Sequence, residues 1–175
     1  MPRLFLAHRY MHRLFIAALR AGIAGALLLG LFGQAVVIPA TASAEVDRFP
    51  PYEPYAVPYA AVAITCVACV QAVLVAVWML LSMVERDAIF TRRAFRWVDT
   101  VIGATLVATL LAFGVTVHLL LADIPTPDDG VALNGALGSA VVCVGVGAAF
   151  VMLVVVMRGL LHKATQLTTE MAKVV

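Results

Sequence analysis

Charged residues are scarce in this chain of 175 residues, and their scarcity excludes most soluble folds. Only 13% of the residues are Asp, Glu, Lys or Arg, whereas 63% are hydrophobic. A soluble domain is roughly half apolar and about a quarter charged. A chain of this length cannot bury such an apolar excess in water, so the composition indicates a membrane protein. The near balance of 12 basic and 10 acidic residues indicates no nucleic-acid partner.

The sequence also lacks the motifs that mark catalytic and ligand-binding sites. It contains no phosphate-binding loop, no dinucleotide-binding glycine pattern and no nucleophile elbow. A disulfide framework is excluded as well, because Cys66, Cys69 and Cys143 all lie within apolar runs and none lies in a loop. We therefore predict no catalytic residue, no metal site and no cofactor, and expect that the chain is not an enzyme.

Long apolar runs are what the sequence does contain, and four of them can cross a membrane. A helix needs about 20 apolar residues to cross a hydrocarbon core about 30 Å thick. The runs predict an all-α polytopic membrane protein, one domain over residues 1–175, whose four transmembrane helices form two hairpins. The predicted spans are about residues 20–39, 58–84, 98–122 and 131–157, followed by a tail over residues 158–175. Pro39, Pro58 and Pro125 lie at span ends, where a missing backbone donor costs least.

The charges and aromatic rings outside the spans predict the orientation. The N-terminal flank has four basic residues, the link between the second and third spans has four, and the tail has three. Only Arg48 lies on the other side, with six acidic residues: Glu45, Asp47, Glu53, Asp123, Asp128 and Asp129. Basic residues stay on the cytoplasmic side, so both termini are expected there. Aromatic belts are expected at both interfaces, with Tyr52, Tyr55 and Tyr59 on the acidic side. The excess of Arg, Ala and Val suggests a bacterial plasma membrane.

A cleaved leader is the alternative interpretation of the first span. A basic N-terminus, an apolar stretch and then Ala42-Ser43-Ala44 before Glu45 are typical of a secretory signal. The apolar stretch over residues 21–38 is longer than the usual signal core of about 7–15 residues, which favours a retained helix. Cleavage of residues 1–44 would leave three spans.

Small residues and two amides predict how the spans pack. Close packing of small residues and interhelical hydrogen bonds hold membrane helices together. Gln34 and Gln71 should therefore point inward, to Thr105, Thr109, Ser139 or each other. Stripes of small residues at every fourth position are expected on the inner faces: Ala18, Gly22, Ala26 and Gly30; Ala68, Ala72 and Ala76; Ala104, Ala108, Ala112 and Thr116; Gly135, Ser139, Cys143 and Gly147.

Two patterns invite a chemical interpretation. Cys66 and Cys69 would share one helix face, as in membrane thiol oxidoreductases, but no loop cysteine is available to relay electrons. A nearby cation lowers the pKa of a reactive thiol, and an apolar span offers no such cation. His118 lies close in sequence to Asp123, and a proton or pH-sensing role is conceivable there. A histidine near the interface is more often only a polar tip near water.

The tail predicts a helix that continues beyond the membrane. Apolar residues recur at steps of three and four from Leu160 to Val175, which is typical of an amphipathic helix. We expect the fourth span to continue as one helix past the interface. Its apolar stripe would rest on the inner loop, on a second copy or on the membrane surface. A frayed tail after Lys163 is the alternative.

Two segments of the sequence carry a resemblance to a known family. Residues 89–104, IFTRRAFRWVDTVIGA, and residues 157–167, MRGLLHKATQL, resemble the bacterial domain-of-unknown-function family 2975. The resemblance covers spans two to four well and the first span by position only. It implies a small four-span membrane protein, and it implies no activity. The acidic ending typical of the family is kept here only by Glu170.

These observations together favour a non-enzymatic membrane protein. Its expected partners are the lipid bilayer and either a cytoplasmic protein or a second copy of the chain. The cytoplasmic face would bind the partner or act in regulation, because the resemblance and most of the charge lie there. A thiol oxidoreductase using Cys66 and Cys69 is one alternative, and a subunit of an oligomeric small-molecule permease is another.

Overall fold

The fold is built from helices throughout the part of the chain that the structure describes. The structure is a computed structural model, and it describes residues 2–84, 92–122, 124 and 131–171. Of these residues, only Phe49, Ala122 and Ile124 lie outside a helix, and no strand occurs among them. The predicted all-α fold is thus confirmed.

The described residues form five α-helices and two short helical turns. The elements in chain order are α1 Pro2–Phe32, a π-helical turn Gly33–Val37, α2 Ile38–Arg48, a 3-10 turn Pro50–Tyr52, α3 Glu53–Val84, α4 Arg92–Leu121 and α5 Val131–Met171.

Within the part of the chain that the structure describes, four helical stretches are long and apolar enough to cross a membrane, which confirms a multi-pass membrane protein. These stretches are Phe15–Arg48, Pro50–Met83, Phe95–Leu121 and Leu133–Leu160. The first and second stretches extend beyond the expected spans toward residues 48–50. Pro39 and Pro58 therefore lie inside continuous helical segments, whereas Pro125 lies outside the described residues.

The π-helical turn explains why the chain stays helical across Pro39. Proline lacks an N–H and its ring clashes with the carbonyl group four residues earlier, which usually kinks or breaks a helix. The turn at Gly33–Val37 ends two residues before Pro39, and the Ile38 N–H donates to the Gly33 carbonyl, five residues earlier. A π-helical turn contains one residue more than an α-helical turn, and such turns occur where the hydrogen-bond ladder of a helix is interrupted. The helix accordingly continues to Arg48.

The helices pack mainly on their neighbours in sequence. α1 and α2 pack on α3, α3 packs on α4, and α4 packs on α5. The ends near Arg20, Arg96 and Arg158 lie together, and we name them the basic end. The opposite end, which carries Glu45 and Glu53, is named the acidic end.

Two glutamine side chains form hydrogen bonds that join α3 to α1 and to the π-helical turn. Their partners are not the predicted ones. Gln34 Nε2 donates to the Ile64 carbonyl at 3.2 Å, and Gln71 Nε2 donates to the Leu27 carbonyl at 3.4 Å. The expected partners are engaged elsewhere. The hydroxyl groups of Thr105, Thr109 and Ser139 each donate to a carbonyl group one turn earlier in their own helix.

The expected stripes of small residues lie inward only in part. In α4 the stripe is half-buried or buried, ending at the buried Thr116. In the α1 stripe only Gly30 is half-buried, and a methyl group there would lie 2.7 Å from Gln71 Nε2. In the α5 stripe only Gly147 is half-buried, against Thr109. The prediction was wrong for the rest of those two stripes, since α1 and α5 each pack on one neighbour and leave most of their surface exposed.

Candidate functional site

Polar side chains meet at both ends of the helix assembly. At the acidic end, His118 of α4 lies against two tyrosines of α3. Tyr59 Oη and His118 Nδ1 share a hydrogen bond of 2.9 Å. The rings of Tyr55 and Tyr59 lie edge-on to the imidazole, with centroid distances of 6.1 and 5.8 Å. These contacts hold two aromatic rings in fixed orientations at the point where α3 leaves the acidic end.

A cavity of about 400 Å³ opens beside these tyrosines. α2 and α3 form most of its wall, and the acidic-end parts of α4 and α5 complete it. We call it the acidic-end cavity. It is lined by Ile38, Thr41, Ala42, Glu45, Val46, Tyr52, Tyr55, Ala56, Tyr59, Ala60, Ala63, Leu119, Ile124, Leu133 and Ala136.

Helical periodicity explains how these residues come to line one space. On α2 the lining residues recur at intervals of three and four from Ile38 to Val46, and on α3 they recur in the same way from Tyr55 to Ala63. Such spacing places side chains on one face of a helix. Two such faces therefore oppose each other across the cavity.

The polar groups of the acidic-end cavity are few. Glu45 is the charged residue among the described lining residues, and three tyrosines contribute phenol groups. The Glu45 carboxylate lies 3.6 Å from the Arg48 guanidinium, and both side chains are more than half exposed. The hydroxyl group of Thr41 donates to carbonyl groups of its own helical segment, and the remaining lining residues are apolar, which is the usual character of a small-molecule site.

A second, smaller groove of about 270 Å³ lies on the other side of the same tyrosines. Tyr55 and Tyr59 line both spaces, and His118, Gly114 and Leu110 of α4 line the groove. The tyrosine pair therefore forms a partition between the acidic-end cavity and the interface of α3 with α4.

The basic end carries an ion pair between α4 and α5. Arg158 Nη2 lies 3.0 Å from one carboxylate oxygen of Asp99 and donates a hydrogen bond of 3.4 Å to the other. Both side chains are about half exposed. Asp99 and Arg158 belong to the two sequence segments that carry the resemblance described above, so the pair joins these segments at this point.

A second basic group lies between α1 and α3. The guanidinium carbon of Arg20 is 5.9 Å from the centroid of the Trp78 ring, within the range of a cation–π contact. Arg20 thus lies near Trp78 at the basic end of α3, as expected for a basic residue at an interface.

The three cysteines are free and lie within helices. Cys66 and Cys69 are half-buried in α3, three residues apart, and Cys143 is exposed on α5. No group of three metal-binding side chains occurs among the residues that the structure describes. The thiol oxidoreductase interpretation stays a prediction, and replacing Cys66 and Cys69 with Ala would test it by the phenotype of the intact gene.

Several residues of the acidic-end site can be recognised in the sequence, but the sequence does not predict that they line one cavity. The tyrosine cluster was expected at this level of the membrane, but the cavity that its members line was not. His118 was considered with Asp123, which lies outside the described residues, whereas the structure places it against Tyr55 and Tyr59. The nearest signal was the alternation of Tyr with Pro and Ala in residues 52–60, which predicts neither partner nor cavity.

The sequence of the chain matches one known protein family. The family described as "Protein of unknown function (DUF2975)" matches residues 40–175, which contain most of α2 and all of α3, α4 and α5. No curated protein and no solved structure matches the chain. The family match covers well over half of the chain and agrees with the resemblance seen in the two basic-end segments, so this chain belongs to the DUF2975 family.

Proposed function

We propose that this protein is a non-enzymatic membrane component that presents its basic end to a protein partner in the cytoplasm. The observation that carries the proposal is the length of α5, which runs without interruption for 41 residues from Val131 to Met171. Such a helix is about 60 Å long, about twice the thickness of the hydrocarbon core. In the sequence, Arg158, Lys163 and Glu170 follow the long apolar run of this helix, so the last turns of α5 extend beyond that run.

The ion pair of Asp99 with Arg158 supports this function. It is a contact between α5 and the first turns of α4, and it lies near the place where α5 leaves its apolar run. A partner would therefore meet two family segments held side by side. Exposed charged groups at this end, such as Arg96 and Lys163, supply complementary charge for an acidic surface.

The proposed orientation places the basic end in the cytoplasm of a bacterial cell, with the protein in the plasma membrane. The support is the asymmetric distribution of Lys and Arg between the two ends. The apolar stripe of the tail sequence gives the partner a hydrophobic contact, in the way that amphipathic helices bind a groove. A second copy of this chain would be an equivalent occupant.

Site-specific photo-crosslinking in native membranes tests the proposed function. A photoreactive amino acid at Arg96 or at Lys163 should give the same discrete protein adduct, since the two positions flank the Asp99–Arg158 pair. The matched control is the same amino acid at the exposed Val131, at the opposite end of α5.

Charge exchange makes the crosslinking test specific. Asp99→Arg should reduce the adduct yield, and the double variant Asp99→Arg with Arg158→Asp should restore it. Adducts with lipid alone, or an equal yield from Val131, would contradict the proposal.

A subunit of an oligomeric small-molecule permease is the second candidate. The acidic-end cavity favours it, because a space of about 400 Å³ open at one end of the apolar helices gives a solute a place to bind. Purified protein in liposomes should then release or accumulate a solute. Movement of no solute from a panel of cations, anions and neutral compounds would exclude this candidate.

A further inference from the structure

We propose that the acidic-end cavity binds a small amphiphilic organic cation, with its cationic head beside Glu45 and the tyrosine rings and its apolar body between α2 and α3. This inference concerns ligand binding at the end opposite the proposed partner surface. It therefore requires neither a cytoplasmic partner nor transport.

The size and the wall of the cavity match such a ligand. Ligand sites commonly have volumes of about 300–1,000 Å³ and an apolar wall with a few placed polar groups. The acidic-end cavity has about 400 Å³ and is walled chiefly by Ala, Ile, Leu and Val side chains. A benzene-sized ligand fills a cavity of only about 150 Å³. The cavity therefore has room for a head group and a short chain.

The charge of the cavity selects a cation. Glu45 contributes a carboxylate, and no basic side chain is found among the described residues that line the space. Tyr52, Tyr55 and Tyr59 line it together with Glu45. The faces of aromatic rings attract cations, and a cluster of such rings is a known means of binding quaternary ammonium groups.

The charge around the cavity acts in the same direction. Among the charged residues that the structure describes at the acidic end, Glu45, Asp47 and Glu53 are acidic and only Arg48 is basic. A negative field of this kind raises the local concentration of cations and repels anions.

Two of the rings are held in place before any ligand arrives. His118 shares a hydrogen bond with Tyr59 Oη and lies edge-on to the Tyr55 ring. Fixed rings lose little conformational freedom on binding, which favours affinity.

Arg48 is the group with which the ligand would compete. Its guanidinium lies 3.6 Å from Glu45, with side chains 78% and 56% exposed. An ion pair so exposed to water is weak. A cation seated on the apolar wall can therefore take the place of Arg48 beside the Glu45 carboxylate.

Calorimetry on the full-length protein tests the proposal with three probes of equal chain length. Hexyltrimethylammonium carries the cationic head, hexanesulfonate the anionic head and 1-hexanol a neutral one. The protein is kept in an uncharged maltoside detergent, so that no lipid head group competes. We expect saturable binding of hexyltrimethylammonium and at least about fivefold weaker binding of the other two probes.

Two matched pairs of variants locate the site. Glu45→Gln should weaken hexyltrimethylammonium binding at least about fivefold, whereas Glu53→Gln, an acid at the same end that does not line the cavity, should not. Tyr52→Leu should weaken binding at least about threefold, whereas Phe49→Leu, which removes a neighbouring ring outside the lining, should not. Glu45→Gln keeps the shape of an exposed side chain, so its folding should be unaffected, and helical circular dichroism checks this.

Four results would overturn the proposal. These are no saturable binding of the cation, equal binding of hexanesulfonate or hexanol, equal losses in the Glu45 and Glu53 variants, and equal losses in the Tyr52 and Phe49 variants. Loss of the calorimetric signal on adding a small amount of phosphatidylcholine would assign the cavity to a lipid head group and would overturn the small-molecule ligand.

Discussion

Among the glycines of α5, Gly147 is the one that lies in close contact with α4. A methyl group added there would clash with Thr109 Oγ1 and lie 3.2 Å from Thr109 Cβ. The Thr109 hydroxyl is bonded to the Thr105 carbonyl, so moving it away breaks a hydrogen bond. Gly145, one half-turn earlier on the same helix, has no neighbour within 4 Å. Both glycines therefore lie within α5, but only Gly147 contacts another helix.

We expect Gly147→Ala to lower the free energy of unfolding by about 1–3 kcal/mol, since overpacking strains a close helix contact. Gly145→Ala should be neutral or stabilising by up to about 1 kcal/mol, because alanine is the better helix former. Thermal unfolding in detergent, followed by circular dichroism, measures both. Adding Thr109→Ala to Gly147→Ala should recover part of the loss. Equal effects of the two glycine variants would show that Gly147 is not at a close contact.

The ion pair of Asp99 with Arg158 stabilises the contact between α4 and α5 at the basic end. Because both side chains are about half exposed, the pair should contribute no more than about 0–1 kcal/mol. A double-mutant cycle with Asp99→Asn and Arg158→Gln should show a coupling energy in this range by thermal unfolding. The control is the pair of Glu45 with Arg48, which is longer and more exposed and should couple less. A larger coupling in the control pair would contradict the assignment.

At the scale of the element, the continuity of α5 is the feature on which the proposed function depends. The helix is uninterrupted to Met171, and it contains Gly159, whose intrinsic helix preference is about 1 kcal/mol worse than that of Ala. The structure thus favours the continuous helix over the frayed tail.

Hydrogen exchange in nanodiscs measures this continuity directly. Amides from Ala164 to Met171 should be protected relative to an unstructured peptide, because each donates within α5. Gly159→Pro should remove much of that protection, since proline breaks a helix interior, whereas Gly159→Ala should preserve or increase it. Unprotected amides in the unmodified protein would exclude a continuous helix.

At the scale of the whole molecule, the orientation in the membrane follows from the charge of the two ends. A phosphatase reporter fused after Asp129 should be active, and one fused after Arg92 should be inactive, because basic residues are retained in the cytoplasm. Fusions after Arg48 and after Lys163 serve as second reporters for each end. The opposite activity pattern would reverse the proposed orientation and would move the basic end to the outer surface.

The first helical segment makes a separate prediction for the mature protein. Ala42, which belongs to the small-residue sequence typical of signal cleavage, lies in α2 and lines the acidic-end cavity together with Glu45. Removal of residues 1–44 would therefore take away part of the cavity wall. Mass spectrometry of the protein from membranes should find the terminus at Met1. A new terminus at Glu45 would leave a three-span protein with an incomplete cavity.

The sequence alone determined the architecture of this protein along the chain. Apolar length and the charges between the runs are local properties, because the membrane imposes the same requirement on every segment that crosses it. Four spans, the separation of a basic from an acidic end and the continuation of α5 could therefore be predicted. Family membership could be predicted too, from the segments around Asp99 and Arg158.

Only the tertiary structure decided which side chains meet. Gln34 and Gln71 were expected to point inward, but their carbonyl partners on Ile64 and Leu27 depend on how the first helical segment lies against α3. Tyr59 and His118 are 59 residues apart, and nothing in either local sequence specifies the other. The acidic-end cavity likewise depends on how α2 lies against α3, because these two helices supply most of its lining. Hydrophobic periodicity does not predict which helices contact each other, because the apolar residues of a membrane helix can face lipid as well as another helix.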